Sequence, residues 1–264
     1  MEVVSTRRER IIQPCTLAYF EHELGPYVGC EHRCLYCYTQ NKSEVDWERQ
    51  VAVFPDFQER IGRELDSLSP QLIFIGMDTD PYQPIESDYR HTRITLEEMA
   101  TRGFSGSILT KSDLVIRDLD LLTSMSKAEV GVSISFLDES VRTAFELASR
   151  PTQKRIEVLK KAKQAGIEPY ALISPVMPLM TDVDALIEEV ALYADTIWIY
   201  SLEVGSPRDR NWQRIEQVLA EHFPEIENEF KTIALSPTHA YWKDLKRDLE
   251  VRASRDRLKL EIHL

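Results

Sequence analysis

The chain has 264 residues, 43% hydrophobic and 29% charged, with a formal net charge of −12. This is globular composition at a length that suits one large α/β domain, and the longest uncharged apolar runs, 72–77 and 171–180, are too short to span a bilayer. The acidic balance disfavours duplex nucleic acid as a partner, and an N-terminus with charges but no apolar core carries no secretion signal, so a cytoplasmic protein without a membrane partner is expected.

The chain alternates short apolar runs with longer amphipathic ones. A strand is expected before Cys30, then a helix over 47–65. The runs 72–77, 105–110, 129–136, 169–176 and 196–204 read as further strands. Helices are expected over 89–102, 114–125, 152–164, 182–193 and 212–222. The apolar runs are rich in Val and Ile and nearly continuous, as in strands buried on both faces of a parallel sheet. Pro151 and Thr152 open one helix, Gly166 closes it, and Asp182 caps the next. Roughly six βα units result, too few for a complete eight-fold barrel. The fold class is therefore α/β, an incomplete (β/α)6 barrel with a partly helical C-terminal extension laid over its open side. Residues 1–18 form an N-terminal extension, 19–222 the barrel core and 223–264 the C-terminal extension.

Ligands in such folds sit at the C-terminal ends of the strands. There the reading places Asp78, Thr79 and Asp80 after the second strand and Lys111 and Ser112 after the third. Ser133 and Ser135 fall on the fourth, two residues apart and so on one face, with Ser201 and Glu203 on the sixth. Tyr82, Tyr89 and Arg93 either line a substrate cavity or pack. The remaining histidines are scattered, and neither a phosphate loop nor a hydrolytic triad is visible.

Three of the four cysteines, Cys30, Cys34 and Cys37, fall within GPYVGCEHRCLYCYTQN. A structural zinc site closes with four ligands, so zinc would need Cys15, His22 or His32 as the fourth. Zinc would make the chain a binding module without catalysis. A 4Fe-4S cluster suits the trio better, because three thiolates leave one iron open to a substrate or cofactor. Lone Cys15 reads as a small buried hydrophobe.

The Cys-x3-Cys-x2-Cys spacing, with Tyr36 before the last cysteine, resembles the signature of the radical S-adenosylmethionine (radical SAM) superfamily. GPYVGCEHRCLYCY, DTDPYQPIESDYRHTR (78–93) and LTKSDLVIRDLDLL (109–122) resemble its spore photoproduct lyase-like branch, and the resemblance runs from about residue 19 to 182. It implies an incomplete barrel, a 4Fe-4S cluster and S-adenosylmethionine as cofactors, and reductive cleavage to a 5′-deoxyadenosyl radical that abstracts hydrogen from a substrate. An electron donor such as flavodoxin or ferredoxin is implied as a partner. So are the residue roles. Cys30, Cys34 and Cys37 would ligate the cluster and Tyr36 would lie against the adenine. Asp78, Thr79 and Asp80 would face the methionyl ammonium, and Lys111 would pair with its carboxylate. Ser133 or Ser135 would bond ribose or carboxylate oxygens, and Tyr38 resembles a tyrosine implicated in radical transfer. Photoproduct lyase itself uses a further cysteine downstream of the cluster loop as hydrogen donor, and no cysteine follows Cys37 here. A lyase-type DNA repair enzyme would therefore need an altered donor, and the substrate does not carry over with the chemistry.

Overall fold

The structure is a computed structural model describing residues 1–264. Strands β1 (Glu2–Ser5) and β2 (Ile12–Pro14) precede β3 (His22–Leu24) and β4 (Tyr27–Val28). The cysteine segment follows and ends in a 3-10 turn, Tyr38–Asn41, before β5 (Gln50–Val53) and α1 (Phe57–Asp66). Next come β6 (Leu72–Ile75), α2 (Glu86–Tyr89), α3 (His91–Thr101), β7 (Ser105–Thr110), a 3-10 segment Asp113–Asp118 and α4 (Leu119–Thr123). The chain continues through β8 (Glu129–Ile134), α5 (Glu139–Phe145), α6 (Thr152–Gln164), β9 (Glu168–Val176), α7 (Val183–Val190) and β10 (Thr196–Ser201). It closes with α8 (Arg210–His222), α9 (Glu227–Ala234), α10 (Ala240–Asp256) and β11 (Leu260–His263).

Eight strands form one sheet in the order β11-β10-β9-β8-β7-β6-β3-β2, parallel throughout except for the β2–β3 hairpin. β11 and β2 are its two edges and do not pair, so the barrel stays open along one side. A second, three-stranded sheet, β1-β5-β4, stands beside it. The apolar core lies between the strands and the helices outside them, with Ile75, Ile108, Val132 and Ile173 fully buried. These strands are covered on both faces, which is why their sequences run apolar without alternation. No helix is long and apolar enough to cross a membrane.

The six expected strands are present, and α6 occupies the expected 152–164. Asp182 caps α7, its carboxylate accepting from the Ala185 amide at 3.0 Å. Two expectations are corrected. The 47–65 segment is not one helix: Gln50–Val53 form β5, and α1 begins only after Pro55. The β-branched QVAV run favours a strand, and proline biases the residue before it away from helical conformation. The C-terminal tail does not simply lay helices over the open side. It adds β11, a seventh parallel strand, at the open edge beside β10.

One close approach fixes the lower barrel. Gly131 on β8 lies opposite Tyr170 on β9. The Tyr170 ring crosses it so tightly that a Cβ on Gly131 would meet the ring at 2.1 Å, and the phenol donates to the Ile108 carbonyl at 2.9 Å. Gly131→Ala is therefore expected to overpack the interior and lower stability by about 1–3 kcal/mol, read from chemical denaturation midpoints.

Candidate functional site

A cavity of about 720 Å³ opens at the C-terminal ends of the parallel strands and continues along the open side of the barrel. Cys30, Cys34 and Cys37 line it together, while Cys15 does not, and all four thiols are free. The loop carrying them needs unusual backbone. Gly29 turns with φ +83°, and a Cβ there would lie 2.9 Å from the Val45 side chain and 3.0 Å from the Gln50 carbonyl oxygen. Arg33, between the first two cysteines, is also left-handed at φ 47°.

Buried polar side chains clamp this loop from outside. The fully buried Gln83 amide donates to the Gly29 carbonyl at 3.1 Å and accepts from the Glu31 amide at 2.8 Å. His32 lies 3.1 Å from Asp80 through Nε2 and 3.2 Å from the Ala148 carbonyl through Nδ1. Cys34 makes a single antiparallel bridge to Glu146, with the Leu35 amide donating to the Phe145 carbonyl at 2.8 Å. The Tyr36 phenol donates to the Glu146 carboxylate, and Asn211 on α8 donates to the Tyr36 carbonyl at 3.2 Å.

Both oxygens of Asp80 are committed. One accepts from the Tyr82 amide at 2.8 Å and the Thr110 hydroxyl at 2.6 Å; the other accepts from the Lys111 amide at 2.6 Å and faces His32. Burial opposes its ionisation, but His32, Thr110 and the Lys111 amide outweigh that and hold its carboxyl down at about 2. The Lys111 ammonium donates to the Ser133 hydroxyl at 2.6 Å and stands 5.8 Å from the centre of the Tyr36 ring. Asp78 pairs with Lys42 at 2.8 Å, and Lys42 also stands 5.2 Å from the centre of the Tyr38 ring. Burial raises the Tyr38 phenol, and Asp78, Cys37, Glu203 and Glu23 push it further.

Tyr36, Tyr38, Asp78, Thr79, Asp80, Lys111 and Ser133 thus share one cavity wall with the three thiols. Ser135 does not join them. The Ser133 and Ser135 hydroxyls both donate to the Ser174 carbonyl, Ser133 at 3.2 Å and Ser135 at 2.7 Å, so the two share a face as expected, but only Ser133 lines the cavity. The Thr79 hydroxyl likewise donates to the Tyr27 carbonyl at 3.2 Å. Ser112 caps the following 3-10 segment. Tyr82, Tyr89 and Arg93 lie away from the cavity: Tyr82 is buried, Tyr89 is exposed, and Arg93 pairs with Glu97 and Asp118. Sequence reasoning missed Gln83, Glu146 and Arg155. It also missed the wall of the open side, where Tyr19 meets Trp198 edge-on at 5.5 Å and His263 stacks on Tyr200 at 4.4 Å.

The three thiols are soft donors on one loop, the type that iron–sulfur clusters take, and three thiolates leave one iron of a four-iron cluster without a protein ligand. Burial pushes the Cys30 thiol up to about 12, with the Asp80 charge adding to it, and raises the thiols of Cys34 and Cys37. The Lys111 ammonium pulls Cys34 and Cys37 back.

The family model of the radical SAM superfamily matches residues 24–191. The chain belongs to the radical SAM superfamily. The family's cofactors are a 4Fe-4S cluster and S-adenosylmethionine. An uncharacterised protein of Methanocaldococcus jannaschii is 29% identical over 229 residues, covering 85% of each chain. Among solved structures, a spore photoproduct lyase variant with bound AdoMet and dinucleoside spore photoproduct superposes with a TM-score of 0.62 at 18% identity. That match covers 83% of this chain and 66% of the lyase, so this radical SAM protein spans about two thirds of the lyase's length. The radical SAM methyltransferase TsrM of Kitasatospora setae, with cobalamin and a 4Fe-4S cluster bound, gives a TM-score of 0.55 at 13% identity, covering 75% of this chain and 37% of its own. The lyase-like fold and the incomplete, open barrel agree with the expectation from sequence.

Asp80 yields a prediction about pH. Its folded pKa lies near 2 against an ordinary 3.8, so the stabilisation is present above about 3.8 and fades as pH falls towards 2. Asp80→Asn is expected to cost about 2 kcal/mol at neutral pH, with the difference from the unsubstituted protein closing below pH 3 in denaturation series.

Proposed function

We propose that this chain is a radical SAM enzyme whose three thiols, Cys30, Cys34 and Cys37, hold a 4Fe-4S cluster with one iron left for S-adenosylmethionine. One observation carries the reading: three free thiols, and not four, line the mouth of an open parallel barrel beside an ammonium and a carboxylate. When bound, the two cofactors supply one-electron reductive cleavage to a 5′-deoxyadenosyl radical that takes hydrogen from a substrate. The catalytic core is residues 19–222, with 1–18 and 223–264 as flanks.

The chain's own residues then have separable tasks. Lys111 serves twice. Its charge eases deprotonation of Cys34 and Cys37, which must be thiolates to bind iron, and it pairs with the methionyl carboxylate. Its bond to Ser133 uses one of three ammonium hydrogens, so Ser133 aims it; the Ser133 hydroxyl donates in turn to the Ser174 carbonyl at 3.2 Å and would have to leave that partner to bond a ribose or carboxylate oxygen. Asp78 receives the methionyl ammonium, for which Lys42 is the present stand-in. Asp80 and Thr79 act through the turn they fix, since their polar atoms are already engaged. Ser135, outside the cavity lining, donates with Ser133 to the Ser174 carbonyl and supports that wall from behind. Tyr36 packs against the adenine while its hydroxyl stays on Glu146. Tyr38 presents a protonated phenol to the cavity, so hydrogen-atom transfer is open to it without prior ionisation. A low-potential electron carrier of the flavodoxin or ferredoxin class supplies the electron.

Protein reconstituted anaerobically with iron and sulfide is expected to bind about four irons per chain. It should release 5′-deoxyadenosine when dithionite and S-adenosylmethionine are added. Cys34→Ala should lower bound iron to about a tenth and abolish the release. Stoichiometric zinc in place of iron, or an intact cluster without 5′-deoxyadenosine, would overturn the proposal.

Net charge disfavours lesion-bearing DNA as the substrate. The net charge is −12, and the carboxylates of Asp78, Glu203 and Glu23 act on Tyr38, with Lys42 the cation over its ring. No salt-sensitive affinity for duplex DNA is expected by fluorescence anisotropy at about 50 mM salt. Tight binding that weakens steeply with salt would restore the repair reading.

A further inference from the structure

Behind the cysteine loop lies an ion pair that the proposed chemistry does not use. Glu146 ends α5 and Arg155 sits in the first turns of α6; their side chains are 0% and 1% exposed. Arg155 donates to Glu146, to the Ser149 hydroxyl at 2.6 Å, to the Ser133 carbonyl at 2.8 Å and to the Arg150 carbonyl at 2.9 Å. Glu146 accepts in addition from the Ser149 hydroxyl at 2.6 Å and from the Tyr36 phenol. Its backbone pairs with Cys34.

Burying two opposite charges costs desolvation that their attraction offsets only with excellent geometry, and an apolar filler of equal volume often holds a fold as well. An apolar filler lacks two things that this pair has. One is an acceptor for the Tyr36 hydroxyl; the other is a fixed negative charge beside Cys34. The charge is paired: the buried Arg155 guanidinium donates directly to the Glu146 carboxylate.

We propose that Glu146, kept ionised by Arg155, is a positioning residue that sets the electrostatic potential at the Cys34 corner of the cluster loop and so makes a bound cluster a stronger reductant. This rests on the cluster-binding reading above. A fixed negative charge in a low-dielectric site disfavours the arrival of an electron. Cleaving a sulfonium by one electron requires a donor of low potential, so the charge favours that chemistry. The Tyr36 bond ties the same carboxylate to the ring beside Lys111, and one side chain thereby fixes both the geometry and the field.

The test is an EPR-monitored redox titration of the reconstituted cluster in the unsubstituted protein, E146Q and E146D. E146Q removes the charge, keeps the shape and leaves Arg155 uncompensated. It is expected to raise the reduced-to-oxidised ratio at a fixed potential about tenfold, a positive midpoint shift of about 59 mV for one electron. E146D keeps the charge and is expected to stay within about twofold of the unsubstituted protein. If E146Q does not fold, E146Q/R155Q, which leaves no unpaired buried charge, takes its place, with a smaller shift of the same sign expected. An intact cluster whose midpoint is unmoved or more negative in the neutral variant overturns this proposal alone. Failure of the unsubstituted protein to hold any iron–sulfur cluster overturns it together with the reading on which it rests.

Discussion

The loop of residues 30–37 has one isolated bridge and no other regular secondary structure, yet it must hold three thiols in fixed relation to one another. Its backbone polar groups therefore find partners outside any ladder, or the loop would pay for leaving them buried and unmatched. They find them in distant parts of the chain. Gln83 reaches it from the connection after β6, the turn after α5 pairs with Leu35 and His32, and Asn211 arrives from α8. Gln40, just beyond the loop, folds back to donate to the carbonyls of Leu35 and Cys37 at 2.8 and 2.9 Å. The thiols are thus positioned by the whole upper rim of the barrel, and the loop's order and the barrel's order are one property.

Two buried polar contacts, one of them an ion pair, join that rim to the strands beneath it. His32–Asp80 connects the loop to the end of β7 through Thr110, and Glu146–Arg155 connects it to the end of β8 through the Ser133 carbonyl. Pairs of this kind are weak contributors to stability in isolation, because desolvation cancels most of the attraction. What they provide is direction. A carboxylate with both oxygens engaged cannot rotate without losing several hydrogen bonds at once, so Asp80 fixes the Lys111 amide, and the Lys111 side chain starts from a fixed point. The ammonium then needs only Ser133 to complete its aim.

This division explains what was legible in the sequence. The cysteine spacing, the continuous Val/Ile runs and the capping Asp182 act over a few residues, and a single chain displays them directly. Glu146 and Arg155 sit in FELASRPTQKR, which reads as a mixed charge run on a solvated surface. Nothing local says that both side chains are buried, because their burial depends on the cysteine loop more than 100 residues earlier in the chain. Ser133 and Ser135 do share a face, as their two-residue spacing says, both hydroxyls donating to the Ser174 carbonyl; the spacing does not show how far the cavity reaches, and only Ser133 lines it. The small β1-β5-β4 sheet was hidden because its strands come from segments far apart in sequence, and pairing of that kind leaves no periodic trace.

The family match also ends in an informative place. Residues 24–191 include Cys30, Cys34 and Cys37 with Asp78, Lys111 and Ser133, so the cofactor-facing wall lies inside it. The wall of the open side lies outside it. Tyr19 belongs to the β2–β3 hairpin, Trp198 and Tyr200 to β10, Glu203 to the loop beyond, and His263 to β11. An open barrel cannot close that side by strand pairing, so side chains define it, and here they are aromatic rings with a carboxylate above them. The three thiols and the ammonium beside them thus lie within the part of the chain that the superfamily model describes, while the rings along the open side come from segments on either side of it.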